Sequence, residues 1–431
     1  MSGRRRRKLL LGTLGTVGLG AAAAFALRPG DAGAPHEPYF RALNDELRRN
    51  GPMRPCMVID LDRLDTNIER VAGTLQRAGK HYRIVEKSLP CQSLIAYVAK
   101  RSGSRRLMSF HQPFLNVDAA AFPDFDLLLG KPLPVQSAAL FYRQLKGPFD
   151  AARQLQWLVD TPERLQQYLA LAGGLGTRLR INIEIDVGLH RGGVADHATL
   201  ARMLELIDAN PAALEFAGFM GYDAHVGFGV PKVLGTPEEL LARAMAIYQG
   251  FADFARAHRP ALWNERLTLN AGGSPSYTLH GAEKLSTEIS VGTALLKPTH
   301  YDIETLAAHE PAAFIATPVL KATGPVRIPA LDAKSRIFSW WDVNQRQTFY
   351  IYGGWWLADY ASPRGLQFNG ILGHSANQEN VNASPSVGLR VDDQVFLRPA
   401  IAEGVLLQFG DLITVRGGKI QDAWPVYHQT G

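Results

Sequence analysis

The sequence is poor in cysteine and, outside its N-terminus, in net charge. Its 431 residues include two cysteines, Cys56 and Cys91, which are too few for a disulfide framework or for a zinc site with four cysteine ligands. The formal net charge is +6, but residues 1–35 hold six basic residues against one acidic residue, so the rest of the chain carries about +1. A general electrostatic attraction to nucleic acid is thereby excluded as the basis of function.

Long apolar runs are also scarce, and the longest uncharged run is at the N-terminus. Its 19 residues, Leu9–Leu27, follow Arg4–Arg7 and are rich in glycine and alanine, so the run is only weakly apolar. Small residues at positions 24–26 or 32–34 offer a cleavage site, and the arginines resemble a twin-arginine leader, which exports folded proteins. We expect residues 1–35 to direct export to the periplasm or another extracytoplasmic space. An uncleaved membrane anchor is the alternative.

Beyond residue 36, short apolar runs alternate with longer helical patterns, as in parallel βα units. With 46% hydrophobic residues the chain can bury a core. Eight runs are predicted to be strands: Tyr82–Glu86, Arg105–Ser109, Phe125–Leu129, Leu155–Asp160, Arg178–Asp186, Glu215–Tyr222, Arg266–Ala271 and Thr287–Val291. Helices are predicted between them, among others at Pro90–Arg101, Pro162–Ala172, Ala198–Ala209 and Pro237–His258. This pattern fits a closed (β/α)8 TIM-type barrel, with catalytic groups at the carboxyl ends of the strands. A doubly wound sheet is the alternative.

Two segments lie outside this alternation. The predicted strand Pro55–Leu61 precedes the first helix, Asp62–Ala78, so residues 36–62 form an opening segment and residues 63–305 the barrel. From about Ala312 onward the helical patterns disappear, and short strands alternate with turns rich in Gly, Pro and Asn. These strands are Thr348–Tyr352, Gln394–Leu397, Leu412–Val415 and Ala423–Tyr427. Residues 306–431 are therefore predicted to be a β domain.

A lysine stands at the end of the first barrel strand. Lys87 follows the run Tyr82–Glu86, which puts its amine at the mouth of the barrel. In a low-dielectric mouth an amine loses its proton more readily, and a neutral amine forms a Schiff base with an aldehyde. Taken alone, a lysine in this position is more often a strand-end residue that reaches solvent.

The other strand ends are polar or rich in glycine. Gly272-Gly273-Ser274 follows the seventh strand and Gly292-Thr293 the eighth. In barrels of this kind these are the places where backbone N–H groups and hydroxyls hold a phosphate. Together with Lys87 they predict a phosphorylated aldehyde cofactor, pyridoxal 5′-phosphate.

Taken in order, these segments resemble the D-threonine aldolase and D-serine dehydratase branch of the alanine-racemase-like, fold type III pyridoxal-phosphate enzymes. The resemblance spans about residues 52–428 and rests on Lys87 and on the segments 54–68, 185–193, 221–225, 271–274 and 288–293. It implies a barrel followed by a C-terminal β domain that also takes the strand near Val58.

The resemblance also assigns site residues. It implies that Lys87 carries the cofactor as a Schiff base. It implies further that the phosphate lies near Gly272, Gly273, Ser274, Gly292 and Thr293, and that Arg191, Tyr222 and His225 belong to the cofactor pocket. Among these, Lys87, His225 and Tyr222 are the candidate catalytic residues.

The sequence departs from this branch where its members hold a divalent metal, through a His-x-Cys or His-x-Asp pair in the β domain. At the matching place the chain reads Arg398-Pro-Ala-Ile-Ala-Glu403, and the preceding segment begins at His374. No ligand pair of suitable spacing is left there. We therefore expect no metal site, with His374 and Glu403 as the weak candidates for one.

The resemblance, together with the missing pair of metal ligands, leaves three functions open. The first is a lyase that cleaves or dehydrates a D-3-hydroxy amino acid. The second is an amino-acid racemase, which needs a second base such as His225, Tyr222 or a residue of a partner subunit. The third is a non-catalytic pyridoxal-phosphate-binding protein, against which the β domain and the leader argue. The expected partners are a small amino-acid substrate and a second copy of the chain in a homodimer, with no nucleic acid, and a membrane only if the leader is uncleaved.

Overall fold

The structure is a computed structural model that describes residues 28–228 and 231–428. Most of the predicted leader, including the run Leu9–Leu27, lies outside the described residues, so export and anchoring stay predictions. Within the described chain, no helix has both the length and the apolar character needed to cross a membrane.

The chain forms two compact units. The first comprises the described residues of Met1–Pro55 together with Ile315–Leu397, and the second comprises Cys56–Phe314 with the described residues of Arg398–Gly431. Each unit is described by itself below.

The second unit contains a closed barrel of eight parallel strands. They are β2 (His81–Val85), β3 (Arg106–Ser109), β4 (Asp126–Leu129), β5 (Leu155–Val159), β6 (Leu179–Glu184), β7 (Leu214–Gly221), β8 (Thr268–Ala271) and β9 (Glu288–Val291). Each pairs in parallel with the next, and β2 closes the barrel against β9, with His81 opposite Glu288. The predicted barrel is confirmed, and each of the eight strands overlaps its predicted run.

Helices cover the outside of the barrel. They are α2 (Leu61–Arg77), α3 (Gln92–Ser102), α4 (Gln112–Ala121), α5 (Val135–Gln144), α6 (Ala151–Gln154), α7 (Pro162–Leu175), α8 (His197–Asp208) and α9 (Pro237–His258). Local sequence sets their ends. At the start of α9 the Thr236 hydroxyl accepts from the Glu239 N–H, and the Glu239 carboxylate accepts from the Thr236 N–H, which satisfies two free donors. α7 ends at Gly176, whose φ of 62° suits a residue without Cβ.

Three further strands belong to the second unit. β1 (Cys56–Asp60) pairs in parallel with β16 (Asp411–Arg416), with Val58 opposite Ile413. β16 pairs in antiparallel fashion with β17 (Lys419–Pro425). The prediction that the strand near Val58 joins the C-terminal strands is confirmed.

The first unit is built mainly of antiparallel strands. It holds α1 (Pro38–Asn50), most of β10 (Ala313–Ala322), α10 (Asp332–Trp341), β11 (Gln347–Tyr352), β12 (Ala358–Ser362), β13 (Gln367–Phe368), β14 (Gln378–Ala383) and most of β15 (Gln394–Pro399). β10, β11, β14 and β13 follow one another in antiparallel pairs, and β15 pairs with β10.

The expectation that helices disappear after Ala312 is wrong at α10. The described apolar side chains of that helix stand close together, at Ile337, Phe338, Trp340 and Trp341, and Ile337 and Phe338 are 61% and 48% exposed. A helix that does not bury one regular apolar stripe leaves no 3.6-residue period in the sequence.

Candidate active site

A cavity of about 680 Å³ opens at the carboxyl ends of the barrel strands, within the second unit. That volume lies within the usual range for small-molecule sites. The loops after β2, β6, β7, β8 and β9 contribute to its wall. Nearly all of the predicted site residues line it, namely Lys87, Arg191, Tyr222, Gly272, Gly273, Ser274, Gly292 and Thr293.

Lys87 lies on a short 3₁₀ turn, Glu86–Ser88, that follows β2. Its side chain is 42% exposed and reaches into the cavity, where Nζ is 3.4 Å from Glu403 Oε1. The ammonium also lies over the ring of Phe110, 5.1 Å from its centroid. The lysine is thus held between a carboxylate and an aromatic face.

The glycine-rich turns after β8 and β9 meet beside the turn that carries Lys87, and Thr293 Oγ1 lies 2.8 Å from Ser88 Oγ. The N–H groups of Gly292 and Ala294 both donate to Ser274 Oγ, at 3.4 and 3.0 Å. A Cβ on Gly273 would lie 2.6 Å from the Tyr222 ring, and a Cβ on Gly292 would lie 2.8 Å from the Val85 carbonyl oxygen. Glycine is therefore needed for these turns to pack, and they present hydroxyl and N–H donors to a small space.

Arg191 and Tyr222 form one wall of the cavity. The Arg191 guanidinium lies over the Tyr222 ring, with Cζ 4.6 Å from the centroid. Burial raises the pKa of Tyr222 well above its ordinary value. At neutral pH its hydroxyl is therefore protonated and can donate a hydrogen bond.

His225 is placed differently from the other predicted residues. It lies on the 3₁₀ turn Ala224–Val226, and it is absent from the described side chains that line the cavity. Burial lowers the pKa of its imidazole, and Nδ1 has no hydrogen-bond partner among the described residues. Its catalytic role stays a prediction.

Asp223 ties the loop after β7 to the loop after β8. Its Oδ2 is 2.9 Å from His280 Nε2, and its Oδ1 accepts from Ser276 Oγ. His280 Nδ1 lies 3.2 Å from Glu283 Oε1. Burial opposes a charge on His280, but the two carboxylates outweigh it and raise the pKa of the imidazole to about 9. This ion cluster holds Tyr222 and Gly273 in place.

Several carboxyl groups of the site were not singled out from the sequence. Asp160 and Glu184 line the cavity after β5 and β6, and burial raises the pKa of Glu184 to about 7 despite the nearby Arg191. Both lie at the ends of strands, so the expectation that catalytic groups lie at strand ends, which singled out Lys87, also identifies these two acids.

Glu86 and Asp118 are fully buried, and burial raises the pKa of Asp118 to about 7. Glu86 and Asp118 come together only in the folded chain, so no pattern in the sequence indicates that they are close.

Neither weak metal candidate belongs to a metal cluster in residues 28–228 and 231–428, where no group of three His, Cys, Asp or Glu side chains has suitable geometry. In the first unit, His374 Nδ1 lies 2.6 Å from Glu379 Oε1, and the His374 ring stacks on Phe368. In the second unit, Glu403 faces Lys87.

The fold and the cavity define a TIM-type barrel with a polar site at the carboxyl ends of its strands. Residues 59–299 match the family described as alanine racemase, N-terminal domain. This match covers more than half of the sequence, and the chain belongs to that family, which confirms the resemblance seen in the sequence. No curated protein matches the chain by sequence.

Solved structures share the fold at low sequence identity. D-threonine aldolase from Filomicrobium marinum is 16% identical, with a TM-score of 0.65 over 92% of this chain and 98% of that one. D-threo-3-hydroxyaspartate dehydratase from Delftia sp. HT23 is 17% identical, with a TM-score of 0.67 over 87% and 98%. Alanine racemase from Bacillus anthracis is 13% identical, with a TM-score of 0.65 over 86% and 97%.

Proposed function

We propose that the chain is a pyridoxal-phosphate-dependent lyase that acts at Cα and Cβ of a D-3-hydroxy amino acid. The observation that carries the proposal is the position of Lys87 in one cavity with the turns Gly272–Ser274 and Gly292–Thr293. An amine and a set of hydroxyl groups on glycine-rich turns in one cavity suit a small phosphorylated aldehyde.

The residues present fit this cofactor. Lys87 would hold it covalently through Nζ, and the hydroxyls of Ser274 and Thr293 in the turns that contain Gly272, Gly273 and Gly292 would hold its phosphate. Arg191 and Tyr222 would flank its ring. When bound, pyridoxal phosphate supplies an electron sink for the pair released at Cα.

The chain's own groups then move protons and orient the substrate. On release from the cofactor, the amine of Lys87 can take a proton from Cα or return one to it. The protonated Tyr222 hydroxyl and the Arg191 guanidinium are donors for a substrate carboxylate on the same wall.

The choice of a lyase is supported by the extent of the structural match. The aldolase of Filomicrobium marinum aligns over 92% of this chain, and the dehydratase of Delftia acts on a 3-hydroxy amino acid by its name. An amino-acid racemase of the same fold is the second candidate, because alanine racemase from Bacillus anthracis aligns over 86% of the chain.

A screen of purified protein with pyridoxal phosphate separates these activities. D- and L-threonine, D- and L-serine, D-threo-3-hydroxyaspartate and D- and L-alanine are tested for aldehyde, keto acid and enantiomer. Aldehyde or keto acid from D-3-hydroxy amino acids supports the lyase. Racemised alanine without cleavage would replace it with the second candidate, and no turnover with any of them would contradict both.

The proposal includes location and assembly. Residues 1–35 direct export of the folded, cofactor-loaded enzyme, and the enzyme acts as a homodimer. Replacing Arg4–Arg7 together by Lys is expected to stop export, because twin-arginine transport needs the arginine pair. An unchanged amount of protein outside the cytoplasm would contradict this route. Sedimentation at micromolar concentration measures the assembly state, and a monomer would contradict the dimer.

A further inference from the structure

Glu403 is the acid of the cavity that contacts Lys87. Its Oε1 lies 3.4 Å from Lys87 Nζ. The same oxygen accepts hydrogen bonds from Ser88 Oγ at 2.8 Å and from Thr293 Oγ1 at 3.3 Å. The Lys87 ammonium and two hydroxyls from the loops after β2 and β9 thus surround one carboxylate oxygen, and the two hydroxyls also lie 2.8 Å from each other.

The position of Glu403 is fixed by its own segment. It follows β15 and precedes the 3₁₀ turn Leu406–Gln408, and Ala400 and Ala402 beside it are buried. The Glu403 side chain is 27% exposed and lines the cavity. Glu86, which also lines the cavity, is fully buried and faces Ser109 and Asp118 instead.

A lyase of this kind needs a proton acceptor at the oxygen bound to Cβ of the substrate. In retro-aldol cleavage a base must remove the hydroxyl proton as the Cα–Cβ bond breaks. Glu403 is placed for this role, because it lines the cavity and its Oε1 lies 3.4 Å from Nζ of the lysine that marks the reacting end of the cofactor.

We propose that Glu403 is the catalytic base that takes the β-hydroxyl proton, which makes retro-aldol cleavage the reaction of this site. The inference rests on the proposed function. The O–H bond breaks and its proton goes to the Glu403 carboxylate, and the oxygen's electron pair forms the aldehyde C=O bond. The Cα–Cβ pair passes to the cofactor. Lys87 protonates Cα to give glycine, and Glu403 returns its proton to the Lys87 amine. No other reactant is consumed.

The test compares Glu403→Gln with the wild type in two reactions. Cleavage of D-threonine is expected to fall by about 100-fold or more in kcat, the usual effect of losing a general base. Exchange of the glycine Cα proton with solvent deuterium, followed by NMR, needs Lys87 but no base at a β-oxygen. It is expected to change by less than about threefold. Glu403→Asp should recover part of the cleavage, and Glu163→Gln, which removes an exposed acid from α7, should alter neither reaction.

A second readout is independent of turnover. Because Glu403 is proposed to act on the substrate, Glu403→Gln should bind pyridoxal phosphate about as tightly as the wild type when the cofactor is titrated by its absorbance. A large loss of cofactor affinity would show that Glu403 holds the cofactor or Lys87 instead.

Other results would overturn the inference. Equal losses of cleavage and exchange would show that Glu403 only positions Lys87 or the cofactor. A divalent metal in the purified wild type that is lost in Glu403→Gln, with cleavage abolished by chelation, would make Glu403 a ligand. Exchange without cleavage in the wild type would contradict the reaction assigned here. If the wild type neither binds pyridoxal phosphate at Lys87 nor exchanges glycine, the proposed function itself fails.

Discussion

Arg83 Nη2 lies 2.9 Å from Glu288 Oε2 inside the barrel, and neither side chain has any exposed surface. Arg83 also contacts Asp126, and it donates to the carbonyl oxygens of Leu107 and Asp126. Glu288 accepts from Asn270 Nδ2 in turn. The barrel interior beneath the site is therefore ionic and hydrogen-bonded where most such barrels are filled by branched apolar side chains.

Replacing Arg83 by Met is expected to destabilise the protein by about 3 kcal/mol, because the fully buried Glu288 carboxylate would lose the guanidinium that donates to both of its oxygens and keep only Arg106 as an ionic partner. Urea unfolding followed by tryptophan fluorescence measures the change. Arg105→Met is the matched control, since Arg105 and its partner Asp124 are 73% and 55% exposed, and its cost should stay below about 1 kcal/mol. Similar losses in the two variants would contradict the role given to the buried cluster.

Gly292→Ala should weaken binding of pyridoxal phosphate by at least about tenfold, or roughly 1.4 kcal/mol. The added Cβ would lie 2.8 Å from the Val85 carbonyl oxygen, so the turn must shift away from the phosphate. The control is Gly281→Ala, where nothing lies within 4 Å of the new Cβ. Titration of cofactor fluorescence gives both affinities, and equal values would show that the phosphate does not sit at this turn.

The His280 cluster predicts a pH-dependent stability. The folded-state pKa of His280 is raised from 6.5 to about 9, mainly by Asp223 and Glu283 acting against burial. A raised pKa adds stability that is fully present below pH 6.5 and is lost as the pH rises through about 9. A difference of about 2.5 units corresponds to ~3 kcal/mol.

His280→Gln removes this contribution. Its deficit in unfolding free energy against the wild type should therefore be about 3 kcal/mol larger at pH 6 than at pH 10. Urea unfolding at the two pH values measures the difference. A deficit that is independent of pH would show that His280 is not charged in the folded protein at pH 6.

The sequence predicts the barrel well because each strand carries its own signal. The ends of β2 and β9 are marked by polar and glycine-rich segments, so Lys87 and Gly292–Thr293 could be assigned to one mouth before folding was known. The helix α9 has its predicted bounds, Pro237–His258, because Pro237 and the capping residues Thr236 and Glu239 mark its start.

What the sequence does not show is which polar groups meet. Glu403 lies more than 300 positions from Lys87 along the chain, and only the folded C-terminal segment brings them into contact. In the same way, Asp223 belongs to the segment 221–225, which the resemblance assigned to the cofactor pocket. Its carboxylate instead faces the buried His280. Pairings between distant loops leave no periodicity, so they are found only in the structure.

The central claim is that Lys87 carries pyridoxal phosphate, and reduction by borohydride tests it most directly. Wild-type protein incubated with the cofactor, reduced and digested should give a phosphopyridoxyl group on the peptide that contains Lys87, as read by mass spectrometry. Lys87→Ala should fold, as judged by circular dichroism, and give no labelled peptide, because a neutral lysine amine is the group that forms the covalent link. A label on another lysine, or an equal label in Lys87→Ala, would contradict the account.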